Sequence, residues 1–593
     1  MRLRPAVHYA PLDNGVYFSG ARTRFAWQGS PALFRIADVC VPLLEDGADE
    51  EELVAVLGPR SRPVVRSLVA SLDEHGLLLH LDRLTGPEPN ADERAAHAGI
   101  LAYLEARSDD PYADFARLRS ARVLLCGACD AVLPAARGLH RAGVRRLHLA
   151  VPDVADRIAR RTAQRLGAEL HDITRYVGPA ADCDALLYVV DAADGDLGAE
   201  ERLLAEARAA LPVGRPLVPV LLGGAVAQIG PVSHRPEPLA LRRRALDWAG
   251  ARGQVPLVRP AGDALAGALA AELLLHTLTV PGPGPRALVV HSPELTATPI
   301  PEAAPAVCTT TPPVDLAVAL STAAAELLTD PTARAALVEP LVQPFTGPLV
   351  SETPYDLPQL PLSLAQAQLV DAPAGPPVVA WGDDQASANL HAIMEALLAT
   401  GPGASGAGVT GAAGLDELRG MLDGALRLLV PYVRPVATLE PAALTQRANS
   451  LWRTLTDYEL VRCEVVTQSV PGVDWVLARV NELRDGVEPR ELAAAWGPDA
   501  GQAVTDALAG ALAAVQVRAV RGTPPSTARP TAYALTSVDT VTVDKLHQQL
   551  LDWTAARSLH LTGRRAADDP LLGALPLWHG TVSLRGGDEA GRD

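Results

Sequence analysis

Residues Ala121–Asp153 read ARVLLCGACDAVLPAARGLHRAGVRRLHLAVPD. Val123–Leu125 is a short apolar run of the kind a buried strand needs. Gly127 ends it, and Asp130 is placed to cap a following helix. Ala131–Arg141 carries Val132, Ala135, Ala136 and Leu139 at helical spacing, with Gly143 where a C-terminal cap belongs. Val144–Val151 predicts a second strand, and Asp153 follows it. Strand, tight turn, helix, strand and acid form the plan of a nucleotide-binding βαβ unit. Its phosphate turn, however, needs glycines that let the backbone approach a pyrophosphate. Gly127 is in place, but the second and third positions are Cys129 and Val132, whose side chains crowd that approach. The unit is read as architecture, with Gly127 and Asp153 vestigial.

Outward from there, Cys183–Asp191 (CDALLYVVD) is an apolar strand ending in an acid, Leu203–Ala210 a helix, and Pro216–Leu222 (PLVPVLL) another buried strand. Strands alternating with helices predict a mostly parallel sheet over residues 119–280. Arg242, Arg243 and Arg244 read as a solvated helix face or an anion patch. Residues 281–314 read as a linker, because Pro281–Pro285 and Thr309–Pro313 bracket a proline-rich span.

The chain has 593 residues, enough for several domains, with 48% hydrophobic and 20% charged residues, as in a globular protein. A formal net charge of −17 argues against nucleic acid as a partner unless a local basic patch exists. Cys126 and Cys129 form the lone CxxC pair, read as small core residues because no second pair completes a zinc site. Met1–Ala10 has no long apolar core, and no uncharged apolar run of about 18 residues suggests a membrane span. The expected compartment is the cytoplasm.

Residues 1–85 read as a small winged-helix domain. Gly15–Gly20 and Thr23–Gln28 predict a hairpin, and Pro31–Leu44, Asp49–Leu57 and Pro63–His75 predict three helices. Leu77–Leu81 fits a final strand. Arg60, Arg62 and Arg66 invite a DNA-binding reading, which the crowded acids Glu45–Glu52 oppose. A strand edge beside a helix can instead capture an extended peptide. Residues 86–118 read as a connector with a helix over Glu93–Ala106.

This order of domains resembles the E1-like (ThiF-family, ocin-ThiF-like) partner proteins that work beside YcaO cyclodehydratases in making azole-containing peptides such as thiopeptides. The resemblance implies a PqqD-like recognition domain that holds a precursor's leader peptide between its third strand and third helix. The implied contacts are Thr23, Arg24, Phe25, Ala26 and Trp27 on the strand, and Val64, Val65, Leu68, Ser71 and Leu72 on the helix. For Phe25, Trp27, Val65 and Leu68, a plain core role is the alternative.

Residues 315–593 open with an Ala/Leu-rich helix expected over Asp315–Leu328. Val378–Ala399 (VVAWGDDQASANLHAIMEALLA) resembles the YcaO segment in which a glycine-ended strand leads into a helix bearing acids for Mg²⁺ and ATP. Glu395 stands at the first acid; the second acid and its arginine are replaced by Leu398 and Ala399, and an expected Ser by His391. Ala495–Arg518 resembles a later YcaO segment ending in Gln516 and Arg518, with Ala513 where an acid belongs. Mg²⁺ takes hard oxygen ligands, and Glu395 alone cannot hold Mg-ATP. An unrelated α/β domain and an active YcaO domain remain the alternatives.

The expected fold class is multidomain α/β: winged helix (1–85), connector (86–118), ThiF/E1-like Rossmann-type domain without adenylation (119–280), linker (281–314) and degenerate YcaO-like domain (315–593). The expected function is to present a precursor peptide to a separate YcaO cyclodehydratase, which supplies ATP and Mg²⁺. An azoline dehydrogenase is a further expected partner, and a homodimer stays open. No catalytic residue, metal or cofactor is expected in this chain. The rival readings are that the chain is itself an ATP-dependent cyclodehydratase, or a winged-helix regulator.

Overall fold

The structure is a computed structural model describing residues 1–173, 182–191, 196–223, 225–230, 240–251, 260–279, 287–300, 312–370, 377–398, 408–522, 529–566 and 577–586. The chain divides into two compact units, Met1–Ala249 with Gln254–Ile300, and Gly250–Gly253 with Pro301–Asp593.

The first unit begins with an antiparallel sheet in the order His8–Leu12, Gly15–Ser19, Arg24–Gln28. Phe18 sits opposite Phe25, and Val16 opposite Trp27. The first strand escaped the sequence reading because it is largely exposed and carries Pro11, so it shows no apolar alternation. Three helices follow: Ala32–Asp46, Glu50–Leu57 and Arg62–Glu74. Asp49 and Glu52 form a reciprocal capping box, each carboxylate accepting the other's backbone N–H at 2.9 Å. Val16, Phe18, Leu44, Leu53, Val65, Leu68 and Leu72 make one core. The final strand is only Leu78–Leu79, paired with Arg2–Leu3.

Residues 86–118 are not a loose connector. The expected single helix is two, Ala91–Ala96 and Ala98–Arg107, broken at His97. A third, Pro111–Ser120, starts on an Asp110 cap with Pro111 in its first turn. The buried Arg4 ties this segment to the N-terminal sheet, donating from Nη1 to the carbonyls of Glu105 at 2.7 Å and Ser108 at 2.5 Å.

Next comes an eight-stranded sheet. Leu217–Leu222, Ala185–Asp191, Arg122–Cys126, Arg146–Val151 and Glu169–Asp172 are neighbours in that order and all parallel. Chain order therefore reverses between Arg122–Cys126 and Ala185–Asp191, the kind of crevice where open α/β sheets bind ligands. Val226–Ile229, Leu288–His291 and Thr296–Pro299 add antiparallel strands at one edge. Residues 288–299 are thus sheet and not linker: a Leu-Val-Val run pairs even though prolines flank it. The flanking segments 280–286 and 301–311, including Cys308, lie outside the described residues.

Helix Cys129–Arg141 lies under Pro260–Thr279, with Ala131, Ala135 and Ala136 against Ala266, Ala270 and Ala271 in one core. Asp130 is not the cap; Ala128 holds that position and supplies no side-chain bond. Arg242 also departs from expectation. It is fully buried and grips the equally buried Glu200 at 3.2 Å while donating to the Val226 carbonyl at 3.2 Å. Pro260–Thr279 and Ala500–Arg521 are long and apolar enough to span a membrane by length and composition, though each carries charged residues such as Asp263 and Asp506; 39% and 78% of their apolar windows are buried within the protein.

Among the described residues, the second unit contains two four-stranded sheets and one three-stranded sheet. Three strand-to-helix turns share one device. Val378–Gly382 leads into Gln385–Leu398, Val409–Gly414 into Glu417–Leu428, and Val487–Gly497 into Ala500–Arg521. Each strand ends in Gly-x-Asp. A Cβ on Gly382, Gly414 or Gly497 would lie within 2.5 Å of a backbone nitrogen of the next helix. Asp384, Asp416 and Asp499 each accept the backbone N–H three residues on, at 2.8, 2.8 and 2.9 Å.

The helix expected over Asp315–Leu328 is only a short 3₁₀ turn, Leu316–Val318, and a helix at Ala325–Thr329. Buried Asp416 explains the break, because Ser321 Oγ and the N–H groups of Thr322 and Ala323 all donate to its Oδ2 at 2.8–2.9 Å. That alternative satisfies the backbone better than continued helix does.

Candidate functional site

The first candidate is the groove between strand Arg24–Gln28 and helix Arg62–Glu74. The strand is the last of its sheet, so one edge has no strand partner among the described residues. Trp27 Nε1 donates to Ser67 Oγ at 3.2 Å, and the Phe25 ring stacks on His75 at 4.0 Å. His75 Nδ1 lies 2.8 Å from the Ser71 carbonyl. Val64, Ser67, Ser71 and His75 therefore form the stripe that faces the strand.

Of the ten residues singled out, Thr23, Arg24, Phe25, Ala26, Val64 and Ser71 reach solvent, Arg24 and Ala26 most fully. Val65, Leu68 and Leu72 do not; each has 0% exposure, and Trp27 has 7%. Those three helix residues belong to the core, the alternative reading of Val65 and Leu68. Ser67 and His75, which the sequence reading did not single out, lie on the same stripe, at i+3 from Val64 and i+4 from Ser71. Two of the three arginines that suggested DNA are paired with acids in place: Arg62 with Glu51 at 2.5 Å and Arg66 with Glu50 at 3.1 Å.

The second candidate is the turn at Gly127. Its φ of 120° and a would-be Cβ 2.1 Å from the Val189 carbonyl oxygen leave room for glycine alone. Val132 is fully buried, and Asp153 accepts the Ala155 N–H at 2.7 Å within its own turn. Burial, with Cys183 alongside, pushes the Cys126 thiol up to about 12, and burial also raises Cys129. Neither is a ready thiolate, as a reactive redox cysteine would be.

The third candidate surrounds Glu395. Arg427 Nη2 donates to Glu395 Oε1 at 3.3 Å, and Arg427 Nε to Asp423 at 3.0 and 3.1 Å. Burial opposes the arginine charge, but Asp423 and Glu395 more than offset it and hold its pKa above the ordinary value. Burial pushes Asp423 up to about 6 against the pull of Arg427. The His391 ring stacks on Tyr533 at 3.9 Å. Its Nδ1 lies 2.8 Å from the Trp381 carbonyl, so that nitrogen carries the proton, and Nε2 lies 3.1 Å from Thr536 Oγ1. Burial lowers His391 to about 4 and keeps it neutral. Tyr533 is likewise held well above its usual value by burial, then by Glu395.

These residues do not fit Mg-ATP. A guanidinium already occupies the place between the two carboxylates where a hard cation would sit. Gln516 and Arg518 are also engaged, Gln516 Nε2 with the Leu360 carbonyl at 3.3 Å and Arg518 with Glu482 at 3.0 Å.

No protein-family model and no curated protein matches the chain. Among solved structures, a heterocyclase in complex with substrate and cofactor is similar over 98% of this chain and 94% of its own, at 12% identity and a TM-score of 0.52. The mixed α/β multidomain fold is thus shared along nearly the whole length. Escherichia coli MccB is similar over 50% of this chain and 92% of its own, at 12% identity and a TM-score of 0.37. MccB with its peptide MccA gives 52%, 98%, 11% and 0.37.

Proposed function

We propose that this chain binds the leader of a ribosomally made precursor peptide and presents the core peptide to a separate YcaO cyclodehydratase, which forms azolines from Cys, Ser or Thr. The observation that carries the reading is Arg427, which neutralises Glu395 and Asp423 where a catalytic domain would need free carboxylates. In this reading the N-terminal sheet and three helices are a PqqD-like recognition domain, the eight-stranded sheet is a ThiF-like domain, and the second unit is a degenerate YcaO-like domain. A leader laid along Arg24–Gln28 adds a strand, with main-chain hydrogen bonds giving affinity and the Val64–His75 stripe giving specificity. Tethering then holds the core at millimolar effective concentration near the partner's site. ATP and Mg²⁺ belong to that partner, and an azoline dehydrogenase would act afterwards.

The test is fluorescence anisotropy of a labelled leader peptide, chosen from open reading frames beside the gene, titrated with the full chain. Micromolar or tighter binding supports the proposal; no binding by any neighbouring precursor sinks it. A second reading draws on the end-to-end fold likeness to a heterocyclase: the chain is itself an ATP-dependent cyclodehydratase. ATP turnover by the purified chain with precursor, abolished by Glu395→Ala, would establish that reading over the first.

A further inference from the structure

At one edge of the eight-stranded sheet, strands Arg146–Val151 and Glu169–Asp172 run parallel, with His148 opposite Glu169 and Ala150 opposite His171. Alternate residues of a strand share a face. His148, Glu169 and His171 therefore project together, opposite Leu147, Leu149 and Val151, which enter the core. His148 Nδ1 lies 3.4 Å from Glu169 Oε2, and His171 Nε2 lies 3.6 Å from the same oxygen. All three ligand atoms fall within 4.8 Å of one another. Around a tetrahedral zinc ion with bonds of about 2.0–2.1 Å, donor atoms are roughly 3.3 Å apart. Two of the three separations are already near that value, and the third is no more than 4.8 Å.

The surroundings suit a metal ion. His148 and His171 are half-buried and Glu169 is exposed, so the cluster is ordered by the sheet yet open to entry from solvent. A cleft of about 600 Å³ adjoins His148 and Glu169 and is lined by Arg122, Arg145 and Arg146, with one further acid, Asp182.

We propose that His148, Glu169 and His171 form a site for a divalent transition metal of the zinc class. Two imidazoles and a carboxylate select Zn²⁺, Co²⁺ or Ni²⁺ over Mg²⁺ and Ca²⁺. Three protein ligands leave a fourth position for water or a small anion, and the three arginines supply the charge to hold an anion near it. The site shares no residue with the peptide groove or the Glu395 cluster. It has no spacing signature in the sequence because its ligands come from two separate strands.

The test uses the untagged full-length chain, stripped with a chelator and titrated calorimetrically with ZnCl₂, with Co²⁺ absorption as a second readout. One ion per chain and a visible Co²⁺ ligand-field spectrum are expected. His148→Ala and His171→Ala should each weaken binding more than about 100-fold, beyond the cost of losing an outer-shell partner. Glu169→Gln, on an exposed side chain that leaves the fold untouched, should weaken binding and shift the Co²⁺ bands. No uptake by the wild-type chain, or uptake unchanged in folded His148→Ala/His171→Ala protein, overturns the site.

Discussion

Arg427 joins Glu395 to Asp423, at 3.3 Å to the first and 3.0 Å to the second, across two helices of the second unit. All three side chains are at most 11% exposed. Removing one member of such a group leaves uncompensated buried charge, which typically costs about 3–5 kcal/mol. Arg427→Met should destabilise the second unit by about that amount in denaturant unfolding. Adding Glu395→Gln and Asp423→Asn to Arg427→Met should recover most of the loss, because no charge is then stranded. A triple variant as unstable as the single one would show that packing of the arginine stem, and not charge, holds the cluster.

Asp506 gives a pH signature. Burial pushes its carboxyl up to about 7, opposed by the Gln502 amide that donates at 2.8 Å. The folded pKa stands above the unfolded value near 3.8, so the folded state holds the proton more tightly. The buried carboxylate therefore costs stability above about pH 7, and that cost fades as pH falls towards about 4. A shift of roughly three units bounds the cost at about 4 kcal/mol, and a poorly paired amide would return about 2 of that. Asp506→Asn should thus stabilise the chain by about 2 kcal/mol at pH 8. The advantage over wild type should vanish, or reverse, by pH 4. An equal effect at both pH values would exclude a titrating Asp506.

What the sequence revealed depended on whether its signal was local. The first βαβ unit lies where periodicity put it, because Leu124, Leu125, Leu147 and Leu149 are apolar for the same reason that they are buried. The Asp49 capping box and the turn glycines at Gly127 and Gly143 are likewise local chemistry. Leu288–His291 was hidden by flanking prolines, since its pairing with Val226–Ile229 is a long-range choice. The Asp315–Leu328 helix failed because a distant carboxylate, Asp416, outcompeted intrinsic propensity. In the groove, Leu68 and Ser67 are adjacent residues with opposite fates, and only the helix's seat on the sheet separates core from lining. One signal was available and overlooked: the Gly-x-Asp at Gly382, Gly414 and Gly497. Two helical turns past each cap stands a buried titratable residue, His391, Asp423 or Asp506.

Gly267 offers a test of helix packing in the first unit. Alanine inside an exposed helix is better than glycine by about 1 kcal/mol. Here the added Cβ would lie 2.0 Å from the Ala131 carbonyl oxygen of the facing helix, a backbone atom that cannot swing aside. Gly267→Ala should therefore destabilise by about 1–3 kcal/mol, as overpacking does. Gly99→Ala, at a helical position with open space around its Cβ, is the control and should be neutral or stabilising. Thermal unfolding of both variants checks the contrast.

The groove and the core beneath it make separable predictions for peptide binding. Ser71 reaches solvent on the stripe facing Arg24–Gln28, so Ser71→Arg should fill the groove while leaving the fold intact. Leader affinity should fall at least about tenfold, roughly 1.4 kcal/mol, with no change in unfolding midpoint. Leu68 is fully buried one turn away, and Leu68→Ala should cost about 2–5 kcal/mol of stability. Any binding lost with Leu68→Ala should track the folded fraction and return at lower temperature or in a stabilising osmolyte. If Ser71→Arg leaves affinity unchanged while the leader still binds, the peptide lies elsewhere, and the outer edge of Arg24–Gln28 is not its docking strand.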